Sequence, residues 1–301
     1  MIRLYHDLLS FGDSEKMKMI SICKWKKCGI IKNMDEKELF ELQKKGFMGK
    51  EETKAIELKK IMDDWRTAIS SEEKAIKNGD REKKKPQECF VEDGFFPGYF
   101  SEINKNKILF IGRESRYIKK NYVQQSLEDR CFSSNWWRRI FYITYGIQHE
   151  GRIPFSKVED YRTIIDEMEE NQHYGFAVMN ISKYSNFSCE GGKSNFELIN
   201  QFLENSGNRL LEFFNRELKL LEPDCIITSN LWDGNINRIN DLFPESNFES
   251  WNVYDNGKAA YGRYKNENIN SMLIDLYHFA KPGSDRDYYY NPVMKILFPK
   301  K

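Results

Sequence analysis

The sequence predicts an α/β fold: an open, mainly four-stranded parallel sheet with helices on both faces, plus a helical N-terminal region. Short apolar runs alternate with longer segments of helical periodicity after residue 87. That alternation is the signature of a parallel sheet covered on both sides. A chain of 301 residues, 40% hydrophobic, is long enough to fill two such layers. No apolar run reaches the roughly 18 residues of a membrane span, and the N-terminus lacks a signal-peptide pattern, so a cytoplasmic protein is expected.

The first region is 1–86. Asp35 and Glu38 form a capping box ahead of Leu39, Phe40 and Leu42. Gly46 and Gly49 interrupt that pattern; Ala55, Leu58, Ile61, Met62 and Trp65 resume it. This region carries 21 Lys+Arg against 16 Asp+Glu, a net +5, and the remainder −4. The excess could meet nucleic acid, or be a solvated helical face, because the acids are interleaved. The polar stretch 78–87 ending in Pro86 reads as a linker.

The second region is 87–301. "KILFIG" (107–112) reads as a strand, "SNWWRRIFYITYGI" (134–147) as a helix, and "FAVMNIS" (176–182) as the next strand. Residues 195–223 supply one long helix or two shorter ones. "CIITSN" (225–230) is a third strand, 235–243 a short helix, "SMLIDLYH" (271–278) a fourth strand, and 287–298 a closing helix. Six cysteines (23, 28, 89, 131, 189, 225) include only a lone C-x4-C, poor spacing for zinc or an iron–sulfur cluster. No Walker loop, GxGxxG turn or GxSxG elbow is present.

Open parallel sheets bind ligands beyond the carboxyl ends of their strands. The first polar residues there are Gly112-Arg113-Glu114, Asn180 with Ser182, Ser229-Asn230, and His278. A carboxylate, an amide and an imidazole would meet on one rim, with Gly112 letting the backbone turn and a ligand approach.

"ILFIGRES", "AVMNIS", "PDCIIT" and "DLYHFAKP", in that order, resemble the strand-end motifs of the uracil-DNA glycosylase superfamily. The likeness covers roughly 90–301. It implies a monofunctional glycosylase that flips a base out of DNA and hydrolyses its bond to the sugar, without cofactor or metal. Glu114 matches the acid that positions water, His278 the donor to the departing base, and Asn180 the amide that reads it. Phe132 resembles the stacking Phe, with Trp136 and Trp137 as rivals. Arg113, Arg116, Lys281, Arg286 and Ser229 would contact DNA, the last loop (277–290) wedging into it.

The family's uracil-specific Gly-Gln-Asp-Pro-Tyr reads Gly112-Arg113-Glu114-Ser115-Arg116 here, without the tyrosine that walls off the pyrimidine 5-position. The expected substrate is therefore a damaged or modified pyrimidine, such as a modified base of phage DNA. The competing expectation is a catalytically inactive DNA-binding module of the same fold. For single residues, Glu114 could instead pair with Arg113 or Arg116 at the surface. Ser229-Asn230 could cap the following segment. A monomer is expected.

Overall fold

The computed structural model describes residues 49–69, 76–77, 83–84, 86–119, 121–130, 132–187 and 193–299. The capping box at Asp35 and Glu38, Gly46 and most of the 1–86 region lie outside the described residues. The chain divides into two compact units, 1–53 and 54–301. The α/β unit thus begins at Lys54, ahead of the linker boundary expected at residue 86. Residues 76–77, just before the expected linker, and 83–84, within it, pair as a short antiparallel ribbon.

Among the described residues, the helices of seven residues or more are α1 (Lys50–Ile69), α2 (Tyr122–Asp129), α3 (Asn135–Gln148), α4 (Tyr161–Asn171), α5 (Phe196–Asn205), α6 (Leu210–Leu221) and α7 (Asn291–Leu297). The strands are β1 (Gly94–Phe95), β2 (Ile108–Arg116), β3 (Ala177–Asn186), β4 (Cys225–Ser229), β5 (Asn252–Tyr254), β6 (Ala259–Lys265) and β7 (Asn270–Leu276). They form one mixed sheet in the order β1-β3-β2-β4-β7-β6-β5. The central strands β3, β2, β4 and β7 are mutually parallel. The expectation of a mainly four-stranded parallel sheet is corrected by three further strands that join it through antiparallel pairing, β1 at one edge and β6 then β5 at the other.

From β2 the chain crosses through α2–α4 to β3 on one side. It then returns through α5 and α6 to β4 on the other side of β2. Right-handed crossovers in opposite directions bury opposite faces of the sheet. Ile140, Phe141 and Ile143 of α3 and Val293 of α7 meet Ile108, Phe110, Val178 and Ile227 on one face. Ile199, Phe202, Phe213 and Leu218 meet Leu109, Ile111, Met179 and Ile226 on the other. Gly207, with a positive φ of 54°, breaks the 195–223 segment into α5 and α6.

Helix α1 belongs to this second face. Leu58, Ile61, Met62, Trp65 and Ile69 are buried along it at helical spacing. Trp65 stacks on Phe213 with centroids 5.3 Å apart, and its Nε1 donates to Ser206 Oγ at 3.1 Å. Trp65→Ala should cost about 3–5 kcal/mol through the cavity it leaves. Urea unfolding of the full chain measures that loss.

Candidate functional site

The crossovers change direction at β2, and open parallel sheets bind ligands beyond the carboxyl ends of their strands at such a switch. Strand β2 does not stop at Gly112 but runs on to Arg116, paired with the equally long β3. Gly112 therefore serves close approach rather than an exit turn. It lies opposite Asn180, and a β-carbon there would fall 2.6 Å from Asn180 Oδ1 and 3.0 Å from the Trp136 ring. Trp136 comes from the first turn of α3, whose N-cap Ser134 accepts from Trp137 N. Its ring also lies 5.8 Å from His278 and 5.2 Å from Phe279, centroid to centroid. Asn180, Gly112, Trp136 and His278 thus form a continuous row, with Trp136 between the amide and the imidazole.

Glu114 is half-buried two residues further along β2. Its Oε1 accepts from Asn195 N at 3.1 Å and from Asn186 Nδ2 at 3.3 Å. Asn195 is the N-cap of α5, so the carboxylate sits at a helix N-terminus, where negative charge is favoured. Burial nevertheless raises its pKa, more than these two bonds and the charges of Arg116 and Arg113 lower it.

His278 follows β7 and is half-buried. Burial first, then Arg113, Lys281 and Arg116, lower its pKa to about 4. The ring is neutral at neutral pH. Its Nδ1 accepts from Ala280 N at 3.3 Å, which puts the proton on Nε2 and makes that atom a donor.

Asn180 is buried. Its main-chain N–H reaches both oxygens of Asp93 at 3.1 and 3.2 Å, while its side-chain Nδ2 has no hydrogen-bond partner. Trp136 Nε1 is likewise buried and unpartnered. Two donors without acceptors in one small region mark a place where a ligand's oxygens or nitrogens would be accommodated.

Four expected site residues take other roles. Phe132 is 3% exposed and packs edge-on against Phe96, Trp137 and Phe141 in the core, so it is no stacking surface at the rim. Trp137 is core too, stacked on Tyr122 at 5.4 Å. Arg113 is a buried ion-pair partner of Asp233, also bonded to Asn230 O at 2.5 Å, not a surface phosphate contact. Ser229 is buried and accepts from Phe279 N at 3.1 Å, which ties the loop after β7 to β4. Arg116 is half-buried and donates to Lys193 O. Lys281 and Arg286 are exposed, the latter paired with Asp287 at 2.8 Å.

The sequence offers Arg139 only as a surface phosphate contact and does not single out Asp93 or Lys183, yet these residues hold the rim. Arg139 of α3 is fully buried and donates to the carbonyls of Phe279, Lys281 (2.7 Å) and Gly283 (3.0 Å) and to Asp285 Oδ1 (2.8 Å). One guanidinium thus fixes the shape of the loop 279–285. Asp93 and Lys183 form a buried ion pair beneath Asn180. Lys183 was legible in principle: a lysine inside a strand that continues past residue 182 demands a buried partner.

Among the described residues no His/Cys/Asp/Glu group could hold a metal ion, and no helix is long and apolar enough to cross a membrane. No protein-family model matches the chain, and no curated protein matches it.

Gly112→Ala should cost about 1–3 kcal/mol, because the added methyl must displace Asn180 or Trp136; thermal unfolding measures it. Stability should also fall as pH drops from 6.5 toward about 4, where the unfolded state binds a proton that folded His278 refuses. His278→Asn should flatten that part of the stability–pH curve, read from urea midpoints.

Proposed function

We propose that this chain is a monofunctional DNA glycosylase of the uracil-DNA glycosylase type, acting on a damaged or modified pyrimidine, such as a modified base of phage DNA. The observation that carries the reading is the row of Asn180, Trp136 and neutral His278 along one strand-end rim, with Glu114 further along β2. We take the protein to work as a cytoplasmic monomer.

The residues divide the work as follows. Flipping the nucleotide costs a few kcal/mol of unstacking, which the rim must return. The Trp136 ring offers a stacking surface of about 1–3 kcal/mol. Asn180 offers an amide with an unspent donor to the base edge. Ionised Glu114, held through Oε1, has no described donor on Oε2. That oxygen can orient a water toward the sugar's anomeric carbon, oppose its growing positive charge, and take the water's proton as the new C–O bond forms. As the bond between sugar and base breaks, its electron pair leaves with the base. The Nε2–H of His278 then donates to the oxygen that gathers that charge. Exposed Lys281 and Arg286 remain the phosphate contacts of this reading.

One observation favours a second reading. Trp136 fills the space between Asn180 and His278, as a DNA-binding module without catalysis could allow. In the glycosylase, the indole must give way or serve as the platform itself.

The test is a panel of DNAs carrying uracil, mismatched thymine, and hydroxymethylated or glucosylated cytosine, with alkali cleavage reporting abasic sites. One of them should be cleaved, and Glu114→Gln should lower the rate by about 10²–10⁴. Its acid limb should lie above the ordinary glutamate range, because Glu114 must be ionised and its pKa is raised. Salt-sensitive DNA binding with no abasic product from any substrate would leave the binding module instead.

A further inference from the structure

We propose that Asp93 and Lys183 are positioning residues that grip Asn180 by its main chain and so set base preference; this rests on the glycosylase reading above. The argument starts from a break in the sheet. Edge strand β1 pairs with β3 only at Ala177 and Val178. The chain rejoins β3 at Lys183, whose carbonyl accepts from Val91 N at 2.7 Å, and at the Phe90–Tyr184 bridge. Between these points, the β1-facing edge of β3 has no strand beside it at Asn180.

Side chains take over there. Both oxygens of Asp93 accept from Asn180 N, at 3.1 and 3.2 Å. Lys183 Nζ donates to Asn180 O at 2.8 Å, to Asp93, and to Glu217 Oε2 at 3.0 Å. Asn180 is therefore held at both its N–H and its C=O by one ion pair. Trp65 lies over the ammonium, 4.9 Å from ring centre to Nζ, and seals it from water. Burial drives Glu217 well above the usual carboxylate range. Burial raises the Asp93 carboxyl as well, against the pull of Lys183.

Lys183, Asp93 and Glu217 are all 1% exposed or less. Apolar side chains would fill that volume at no worse a cost in stability, so an ion network there calls for another reason. The reason lies in what it leaves unspent. It satisfies the main chain of Asn180 without using the side-chain amide, whose Nδ2 stays buried and unpartnered beside Gly112 and Trp136. A base-reading amide needs that combination of a fixed main chain and an uncommitted head group.

The test compares wild type with Asp93→Asn/Lys183→Met, which removes both charges together and leaves no buried ion uncompensated. Met168→Ala, in α4 on the opposite face, serves as a control for lost stability. On the DNA that wild type cleaves best, the double variant should need about tenfold more DNA for half-saturation and lose about tenfold of its preference over the next base. Its maximal rate should fall less than about threefold. Met168→Ala should leave half-saturation and preference unchanged.

Retained preference and half-saturation in the double variant would overturn the proposal while leaving the glycosylase reading intact. A second measurement needs no activity: the side-chain ¹⁵N–¹H₂ signals of Asn180, assigned by their loss in Asn180→Asp. They should shift or broaden in the double variant and stay put in Met168→Ala. If wild type cleaves no DNA, the glycosylase reading fails, and unchanged Asn180 signals would then refute the grip as well.

Discussion

The carboxyl-end rim depends on one close approach: Gly112 of β2 and Asn180 of β3 face each other with no β-carbon between strand and amide. Because nothing projects from residue 112, the Trp136 ring can lie on the strand and Asn180 can reach under it. From Trp136 the row continues to Phe279 and His278. Any side chain at 112 would separate the amide from the indole and push the indole toward the imidazole.

A rim this dense needs rigid supports, and they come from outside it. Arg139 gathers three carbonyls and a carboxylate of the 279–285 loop from within α3. The Tyr289 ring lies 3.9 Å from its guanidinium carbon. Ser229 ties the same loop to β4, and Arg113 joins the end of β2 to Asn230 and Asp233 beyond β4. Asp275 accepts from Thr228 Oγ1 at 2.5 Å and from Leu231 N at 3.1 Å, fixing the turn that Asn230 makes at a positive φ of 56°. Polar residues at strand ends thus divide into those that line the rim beside Gly112 and those that fasten the loops around it.

That division explains what was legible in the sequence. The central strands announce themselves as apolar runs because both their faces are buried, and α3, α5 and α6 by their 3.6-residue spacing. Strands β5 and β6, the outermost two on one side of the sheet, carry exposed and charged positions, such as Val253, Arg263 and Lys265, so they lack that signal. Residues at strand ends could be named but not sorted. Arg113 and Glu114 are neighbours in sequence, yet one enters a buried ion pair while the other accepts from a helix N-terminus. Phe132 looked like a rim aromatic because nothing local distinguishes it from Trp136. Tertiary packing decides between them, sending Phe132 in among Phe96, Trp137 and Phe141. Ending β3 at Ser182 hid Lys183, and with it the network beneath Asn180.

The electrostatics of the rim have a common origin. Arg113 and Arg116 act on both titrating groups, and Lys281 adds to the field at His278. A positive field favours the charged form of a carboxylate and the neutral form of an imidazole, so it lowers both pKa values. Burial acts on the two in opposite senses. For the imidazole it adds to the field, and His278 falls to about 4. For the carboxylate it opposes the field and outweighs it, so Glu114 stays above its ordinary value. An anion drawn to these cations would weaken the field and let both values rise. His278 keeps its neutral form even so, because burial is the largest cause of its shift. Glu114 has no such margin, and its hydrogen bonds from Asn195 and Asn186 are then what holds it ionised. The N-cap of α5 is therefore as much a part of the site's charge state as the arginines beside it.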